Sequence, residues 1–388
     1  MTLTRQFRNV ADIVLVTLLL LLLIEGVSYL AIQSYGVVKN EEEEASGRGS
    51  TGKENHGSEQ QKVYAEQKQL QKYEYKAFIG WQATPARGET ININSQRHRV
   101  TGFETAFPGQ PTTHLFGGST MWGTGVADSG TIAALLAPKI SQNTINYGDK
   151  GYNSRQSLNR LIDNLENISE GDTVIFYDGV NDAMQNCRSN NSPDGHSRES
   201  QIKSLMEDVG EYDFMSNATA LFRQTHTYTV LNRLLYRNDI SIEKQRPNVA
   251  TNCTDPETAE AVAHFLVKNW SAAEDILHAR KIKFVCALQP NPYTATVFVP
   301  TYSNERRKSS VVSVYPLVQK LARAENLACF ADMTEIFDRD YYLDHCCHVN
   351  REGNQAIADH LKIEMNKKRQ YADLPAAAYS VPRLSETD

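Results

Sequence analysis

The sequence predicts an α/β fold in which a parallel sheet is covered by helices on both faces, preceded by a helix fit to span a membrane. Three observations predict it. Short apolar runs that end in glycine or polar turn residues alternate with amphipathic stretches, the rhythm of parallel strands joined by crossover helices. One run, DTVIFYDG (Asp172 to Gly179), is continuously β-branched and aromatic, as a strand buried on both faces requires. Near the start, Ile13 to Ile24 carries no charge. The 388 residues, 40% hydrophobic and 22% charged, have globular composition, which excludes a wholly disordered, collagenous or coiled-coil chain. A net charge of −6 argues against a nucleic-acid binder, which normally carries a basic stripe.

The elements follow in order. Residues 1–9, with Arg5 and Arg8, form a basic flank expected to stay in the cytoplasm, and 10–33 form the membrane signal-anchor. IVLVTLLLLLLI and VSYLAI together give about 20 residues, enough to cross a bilayer as a helix. A cleaved signal peptide is the rival reading, but no convincing small-x-small cleavage site follows the apolar run, which favours an uncleaved anchor. The expectation is therefore a cell-membrane protein with its head outside, or a secreted one if cleaved. Glu25 is costly at membrane depth unless it lies near the interface or finds a partner. Residues 34–62 include EEEEASGRGSTGKENHGSEQQ, which lacks large apolar residues and reads as a solvated tether. Residues 63–110 read as a β-rich flap packed on the head, and 371–388 as a loose tail.

The head spans 111–370. Its strands are expected around His114 to Gly118, Thr144 to Gly148, Asp172 to Gly179, Lys281 to Pro290 and Asn326 to Asp332. Between them lie helical patterns such as SRQSLNRLIDNLENI, whose Leu158, Leu161, Ile162 and Leu165 keep helical spacing. Residues 185–254 break the rhythm and read as an insertion, either a lid over the site or a loop with one packed helix. Of the six cysteines, Cys286 and Cys329 sit in apolar runs and are expected to be small buried hydrophobes. Cys187, Cys253, Cys346 and Cys347 lie in loop-like contexts and are the better disulfide candidates, with a bridge from Cys346 or Cys347 to Cys187 as the specific expectation. Sequons stand at Asn167, Asn190, Asn217, Asn252 and Asn269.

In open parallel sheets, ligands sit beyond the carboxyl ends of the strands. Three strand-end loops and a segment near the C-terminus present capable residues. FGGSTMWG puts Ser119 where a strand gives way to a helix, as a nucleophile or merely a helix cap. It is not a phosphate-binding loop, because no Gly-Lys-Ser/Thr completes it. NYGDKGYNS offers the bare backbone N–H of Gly151, and YDGVNDA offers the amide of Asn181. LDHCCHVNREGN supplies Asp344 and His348 just before a helix. His345, Cys346, Cys347 and His348 are all metal-ligand types, yet adjacent side chains rarely converge on one ion and no second Cys/His pair at finger spacing exists, so neither metal nor cofactor is expected. Trp81, Trp122, Tyr73 and Tyr75 could stack on a sugar, but packing within the flap is the expected use.

Taken in order, GGST, the glycine of NYGDKG, GVND and the Asp…His pair resemble the four blocks of the SGNH (GDSL-type) hydrolase superfamily, in particular bacterial membrane-anchored members. The resemblance runs from about Phe116 to Leu361. It implies a flavodoxin-like three-layer α/β/α sandwich and esterase chemistry: Ser119 as nucleophile, His348 as base, Asp344 as orienting acid, and Ser119, Gly151 and Asn181 as oxyanion-hole donors. One departure stands out. The family spaces its acid three residues before the histidine, where this chain has His345; Asp344 is four before, and Asp340 or a water-linked dyad are alternatives. With that chemistry, and with an anchor and tether that suit a large substrate outside the cytoplasm, the expectation is removal of small acyl groups, O-acetyl groups on a polysaccharide being the leading case. A polysaccharide O-acetyltransferase and a non-catalytic carbohydrate-binding or assembly module are the other readings. The partners expected are an acyl ester or acylated polysaccharide and the membrane, with no nucleic acid.

Overall fold

The computed structural model describes residues 2–46, 58–70, 72–200, 225–235 and 251–367, with isolated positions between 202 and 222. The chain divides into two compact units, one of residues 1–55 with 201–249, the other of 56–200 with 250–388.

In the larger unit five parallel strands form the central sheet: β5 (Thr112–Gly117), β6 (Asn143–Asn146), β7 (Thr173–Asp178), β8 (Lys283–Leu288) and β9 (Phe330–Asp332). Their order, β6-β5-β7-β8-β9, is the 2-1-3-4-5 arrangement of flavodoxin-like sheets. All six residues of β7 are buried, because helices cover both sides. On one face Phe116, Val174, Phe176, Phe284 and Leu288 meet α5 (Ser154–Asp163), α6 (Val180–Asn186), α8 (Pro256–Ala279) and α9 (Glu305–Ala324). On the other, Leu115, Ile175, Val285 and Ala287 meet α4 (Ile132–Ile140) and α10 (Arg351–Lys367). Successive strand residues thus alternate between two cores, as the pleat dictates. Helix starts are fixed by local chemistry. Asn153 and Gln156 form a capping box on α5, and Asp255 accepts from Thr258 N at 3.0 Å with Pro256 in the first turn of α8.

Residues 63–110 hold the end of α2 (Ser58–Leu70) and two antiparallel pairs, β1 (Tyr73–Lys76) with β2 (Gly80–Ala83) and β3 (Ala86–Arg87) with β4 (Asn92–Ile93). An Arg99–Asn146 bridge joins this segment to the edge strand β6. Trp122 packs with Val63, Ala83, Ile91 and Ile93, and Trp81 with Ile79 and Tyr152. Both tryptophans are therefore packing residues, not a stacking platform.

Three expectations are corrected. Cys187 pairs with Cys253, not with Cys346 or Cys347, because the two ends of the insertion return side by side in an Arg188–Thr251 bridge. Cys286 and Cys329, read as isolated buried hydrophobes, are buried but bonded to each other, since β8 and β9 run in parallel register there. The stretch 34–62 is helical at both ends: α1 (Thr2–Ser46) runs past residue 34, and α2 starts at Ser58. Residues 47–57 and the tail 371–388 lie outside the described residues. The sequon at Asn269 is wholly buried, with its amide on Ser154 Oγ, so that site carries no glycan.

In the smaller unit, Asp12–Ser34 within α1 has a mean hydropathy of 2.5 and is long and apolar enough to cross a membrane, though a signal sequence has the same character. Glu25 finds partners at the start of α7 (His226–Leu235). Its carboxylate accepts from the backbone N–H of His226 (2.6 Å) and Thr227 (2.9 Å) and from the Thr227 hydroxyl (2.7 Å). Of the expected 185–254 insertion, residues 187–200 and 250–254 fold with the head, while the described residues of 201–249 belong with α1.

Candidate active site

The parallel register aligns the ends of β5 and β7, pairing Gly117 with Tyr177, so the loops leaving these strands open on one edge. Ser119 is the first residue of the short α3 (Ser119–Trp122) that follows β5. The close approach of the β7 loop requires the glycine before it: a Cβ on Gly118 would lie 2.3 Å from Asn181 Nδ2 and 3.0 Å from the Tyr152 carbonyl oxygen. Gly151, with φ +79°, occupies the left-handed region that other residues rarely adopt.

The far C-terminal segment reaches the same edge. A Tyr342–Val349 bridge, with Leu343 N donating to His348 O at 2.8 Å, closes the segment that carries Asp344 and His348 into a tight loop. This loop accommodates the four-residue spacing. Asp344 Oδ2 lies 2.5 Å from His348 Nδ1, and His348 Nε2 lies 2.7 Å from Ser119 Oγ. Because the carboxylate can only accept, Nδ1 carries the proton and Nε2 is free to accept from the serine hydroxyl. Asp340, the alternative acid, is engaged elsewhere, accepting from Thr301 N (2.7 Å) and Tyr342 N (2.9 Å).

The electrostatics agree with this relay. Burial opposes the charged imidazole, but the Asp344 charge and hydrogen bond outweigh it and raise the His348 pKa above its ordinary value. Burial likewise opposes the Asp344 carboxylate, yet His348, the Cys346 N–H and Arg307 hold its pKa well below the usual range. Asp344 is ionised wherever His348 titrates.

Gly151 and Asn181 converge on the same edge, linked through two residues. Asn181 Nδ2 donates to the Tyr152 carbonyl at 2.7 Å, and Gln185 Nε2 donates to Asn181 Oδ1 at 3.0 Å and to the Gly151 carbonyl at 3.4 Å. The Tyr152 oxygen can only accept and so fixes which end of the Asn181 amide is nitrogen. Gln185 then holds the oxygen end, leaving the second N–H of Nδ2 for a ligand. Sequence reasoning missed Gln185; its signal was the spacing of four from Asn181 on a helix, one turn along the same face. It also missed Lys150, whose ammonium lies 4.2 Å from the centroid of the Trp122 ring and whose pKa falls to about 7 through burial and the charge of Arg99.

Cys346, Cys347 and His348 bring ligand atoms within 4.8 Å of one another. Both imidazole nitrogens are already committed, to Asp344 and to Ser119, so an ion would have to break the relay to use His348.

Fold and side-chain geometry together place a hydrogen-bonded Asp344–His348–Ser119 chain at the strand ends of a three-layer α/β/α sandwich. No protein-family model matches the sequence, and no curated protein matches it. Among solved structures the chain is similar to a member of the lipolytic protein G-D-S-L family from Veillonella parvula, at 11% identity over 65% of this chain and 96% of that one, with a TM-score of 0.36. It is similar also to a carbohydrate acetylesterase from Sinorhizobium meliloti, at 12% identity over 66% and 99%, TM-score 0.35. A third is an acetyl xylan esterase from the rumen bacterium Butyrivibrio proteoclasticus, at 8% identity over 75% and 67%, TM-score 0.33.

Proposed function

We propose that the protein is a serine esterase that removes small acyl groups, O-acetyl groups on a polysaccharide being the preferred substrate, with its head outside the cytoplasmic membrane. The observation that carries this reading is the 2.7 Å approach of His348 Nε2 to Ser119 Oγ. A serine hydroxyl is a poor nucleophile until a base within hydrogen-bond reach takes its proton. Here His348 accepts it as Oγ attacks the acyl carbon, and Asp344 stabilises the imidazolium that forms. Charge developing on the carbonyl oxygen is met by the backbone N–H groups of Ser119 and Gly151 and by Asn181 Nδ2. His348 returns the proton to the leaving alcohol, then activates the water that releases the acyl group.

The O-acetyltransferase reading uses the same acyl-serine, intercepted by a sugar hydroxyl instead of water. The non-catalytic reading drew on the four-residue spacing of the acid, and the 2.5 Å contact between Asp344 and His348 removes that support.

The test is hydrolysis of 4-nitrophenyl acetate, and labelling by a fluorophosphonate, by the full chain in detergent. Both are expected in the wild type and lost in Ser119→Ala. Equal rates in the two proteins, or no turnover between pH 6 and 9, would overturn the reading. Acetylated oligosaccharide formed when an acceptor is added would assign the transferase instead. Protease added to intact spheroplasts should digest the head while leaving the basic N-terminal flank protected; protection of the head would refute the proposed topology.

A further inference from the structure

Between the acid and the base of the relay lie two adjacent thiols that the proposed chemistry does not use. Cys346 Sγ and Cys347 Sγ are 2.8 Å apart, well inside van der Waals contact but not bonded. They are also the two cysteines left free when the other four form disulfides, so the same chain carries the products of an oxidising environment. Cys347 is 3% exposed and sits against Thr120, whose hydroxyl donates to its carbonyl oxygen (3.3 Å) and its sulfur (3.4 Å). Cys346 is half-buried, with Met184 Sδ 3.9 Å away. Its backbone N–H donates to Asp344 Oδ1 at 2.8 Å and thereby aims the other carboxylate oxygen at His348.

We propose that Cys346 and Cys347 are an oxidation site: a disulfide oxidant joins them into a vicinal disulfide, which disengages Asp344 from His348 and switches the esterase off. The effect on turnover rests on the Ser119–His348–Asp344 reading, whereas the chemistry at sulfur does not. In the first step the Cys346 thiolate attacks one sulfur of the oxidant RSSR, forming a mixed disulfide and expelling one RS⁻. In the second, the Cys347 thiolate attacks Cys346 Sγ, closing the ring and expelling the other. The two cysteine protons go to the two departing thiolates, so two thiols and RSSR become one disulfide and two RSH, a two-electron exchange. Closing a bond between neighbouring residues rotates the peptide that joins them. That peptide follows directly on the Cys346 N–H that holds Asp344 and includes the Cys347 N–H, one residue from His348. The hydrogen bond from Cys347 and burial both push the Cys346 thiol pKa up, so exchange is expected to quicken as the pH is raised.

The experiment exposes the full chain in detergent to hydroxyethyl disulfide, then maps peptides and measures 4-nitrophenyl acetate turnover. The peptide containing residues 344–348 should lose both alkylatable thiols and the mass of two hydrogens. Turnover should fall on the order of 10²-fold, the typical cost of a misplacement near 1 Å. A phosphine dose that leaves Cys187–Cys253 and Cys286–Cys329 bonded should restore both. Cys346→Ser keeps the backbone N–H on Asp344 but lacks the attacking thiol, so its turnover should be the same with and without the oxidant. The proposal is overturned if both thiols stay alkylatable, if the disulfide forms with turnover unchanged, or if Cys346→Ser is inhibited as the wild type is. Wild-type turnover that survives Ser119→Ala before oxidant is added strikes the esterase reading instead, and the thiol map then still decides whether the pair oxidises.

Discussion

Gln185 touches no atom proposed to react, yet its Nε2 donates to Asn181 Oδ1 and so holds the amide that the proposed mechanism uses. Gln185→Glu keeps the shape and replaces that donor with a second acceptor facing Asn181 Oδ1. The expected result is a fall in kcat approaching the ~10²–10³-fold cost of deleting one oxyanion donor, with KM little changed. Because Gln185 acts through Asn181, the double variant with Asn181→Ala should be no slower than Asn181→Ala alone; additive losses would show that Gln185 is merely structural. The deficit relative to wild type should also shrink as pH falls, since a protonated glutamic acid can donate again. A second prediction concerns pH itself. His348 must be neutral to accept the serine proton, and Asp344 raises its pKa, so turnover should rise with pH through a value above the ordinary imidazole range. Asp344→Asn removes the charge that favours the imidazolium, so this limb should move to lower pH while kcat drops by roughly 10⁴. An unmoved limb in the pH–rate profile would dissociate Asp344 from His348.

At the scale of elements, strands and helices were legible because their signals are local. The β-branched run at Val174–Phe176 and the apolar spacing of α5 do not depend on distant partners. Ser119, Gly151 and Asn181 were legible for a related reason: each closely follows a strand of one parallel sheet, so strand order alone puts them on a common edge. The disulfides were not legible. Pairing depends on which Cα atoms come within about 6 Å, a tertiary fact that loop or apolar context does not carry. Cys286 looked like core because it is core, and only the parallel register of β8 and β9 brings Cys329 beside it. Glu25 was recognised as costly, but its partners lie about two hundred residues later in the insertion. The Cys187–Cys253 bond closes a loop with a sequence separation of 66, for which chain entropy gives a stabilisation of about 4 kcal/mol. Cys187→Ser with Cys253→Ser should therefore lower the urea midpoint of the larger unit. It should also slow the proposed turnover of 4-nitrophenyl acetate, because Cys187 is the residue that ends α6, the helix of Asn181 and Gln185. An unchanged midpoint would mean that the insertion's ends are held by the rest of the unit without the bond.

Across the whole molecule, chemistry drawn from four distant stretches of chain depends on a rigid frame. Buried polar groups provide much of that rigidity. Asp182, next to Asn181, accepts from the Ser154 N–H (3.0 Å) and hydroxyl (2.5 Å), and the neighbouring Asp178 accepts from Ser157 at 2.9 Å. These bonds tie the start of α6 to the start of α5, and Asn153, the cap of α5, immediately follows the Tyr152 carbonyl that aligns Asn181. Burial pushes both carboxyl pKa values up, as their proximity also does for Asp178, so the pair holds a proton more readily than exposed carboxylates do. None of this was visible in the motif GVND, where Asp182 looks like an ordinary turn residue. The apolar span and the pattern of the head could be read from the sequence without such knowledge, because length and hydrophobic periodicity determine them directly.

The insertion leaves and re-enters the head at nearly one point: Cys187 and Cys253 have Cα atoms 5.2 Å apart, and Asn252 N donates to Cys187 O at 2.7 Å. Such a gap is the width of a hairpin's neck. The described part of the insertion that groups with α1 is therefore reached through this neck without rerouting a strand of the sheet. A segment hung from such a neck can change in length and sequence while the strand ends stay where they are, so what it attaches to can vary independently of the residues at the sheet edge.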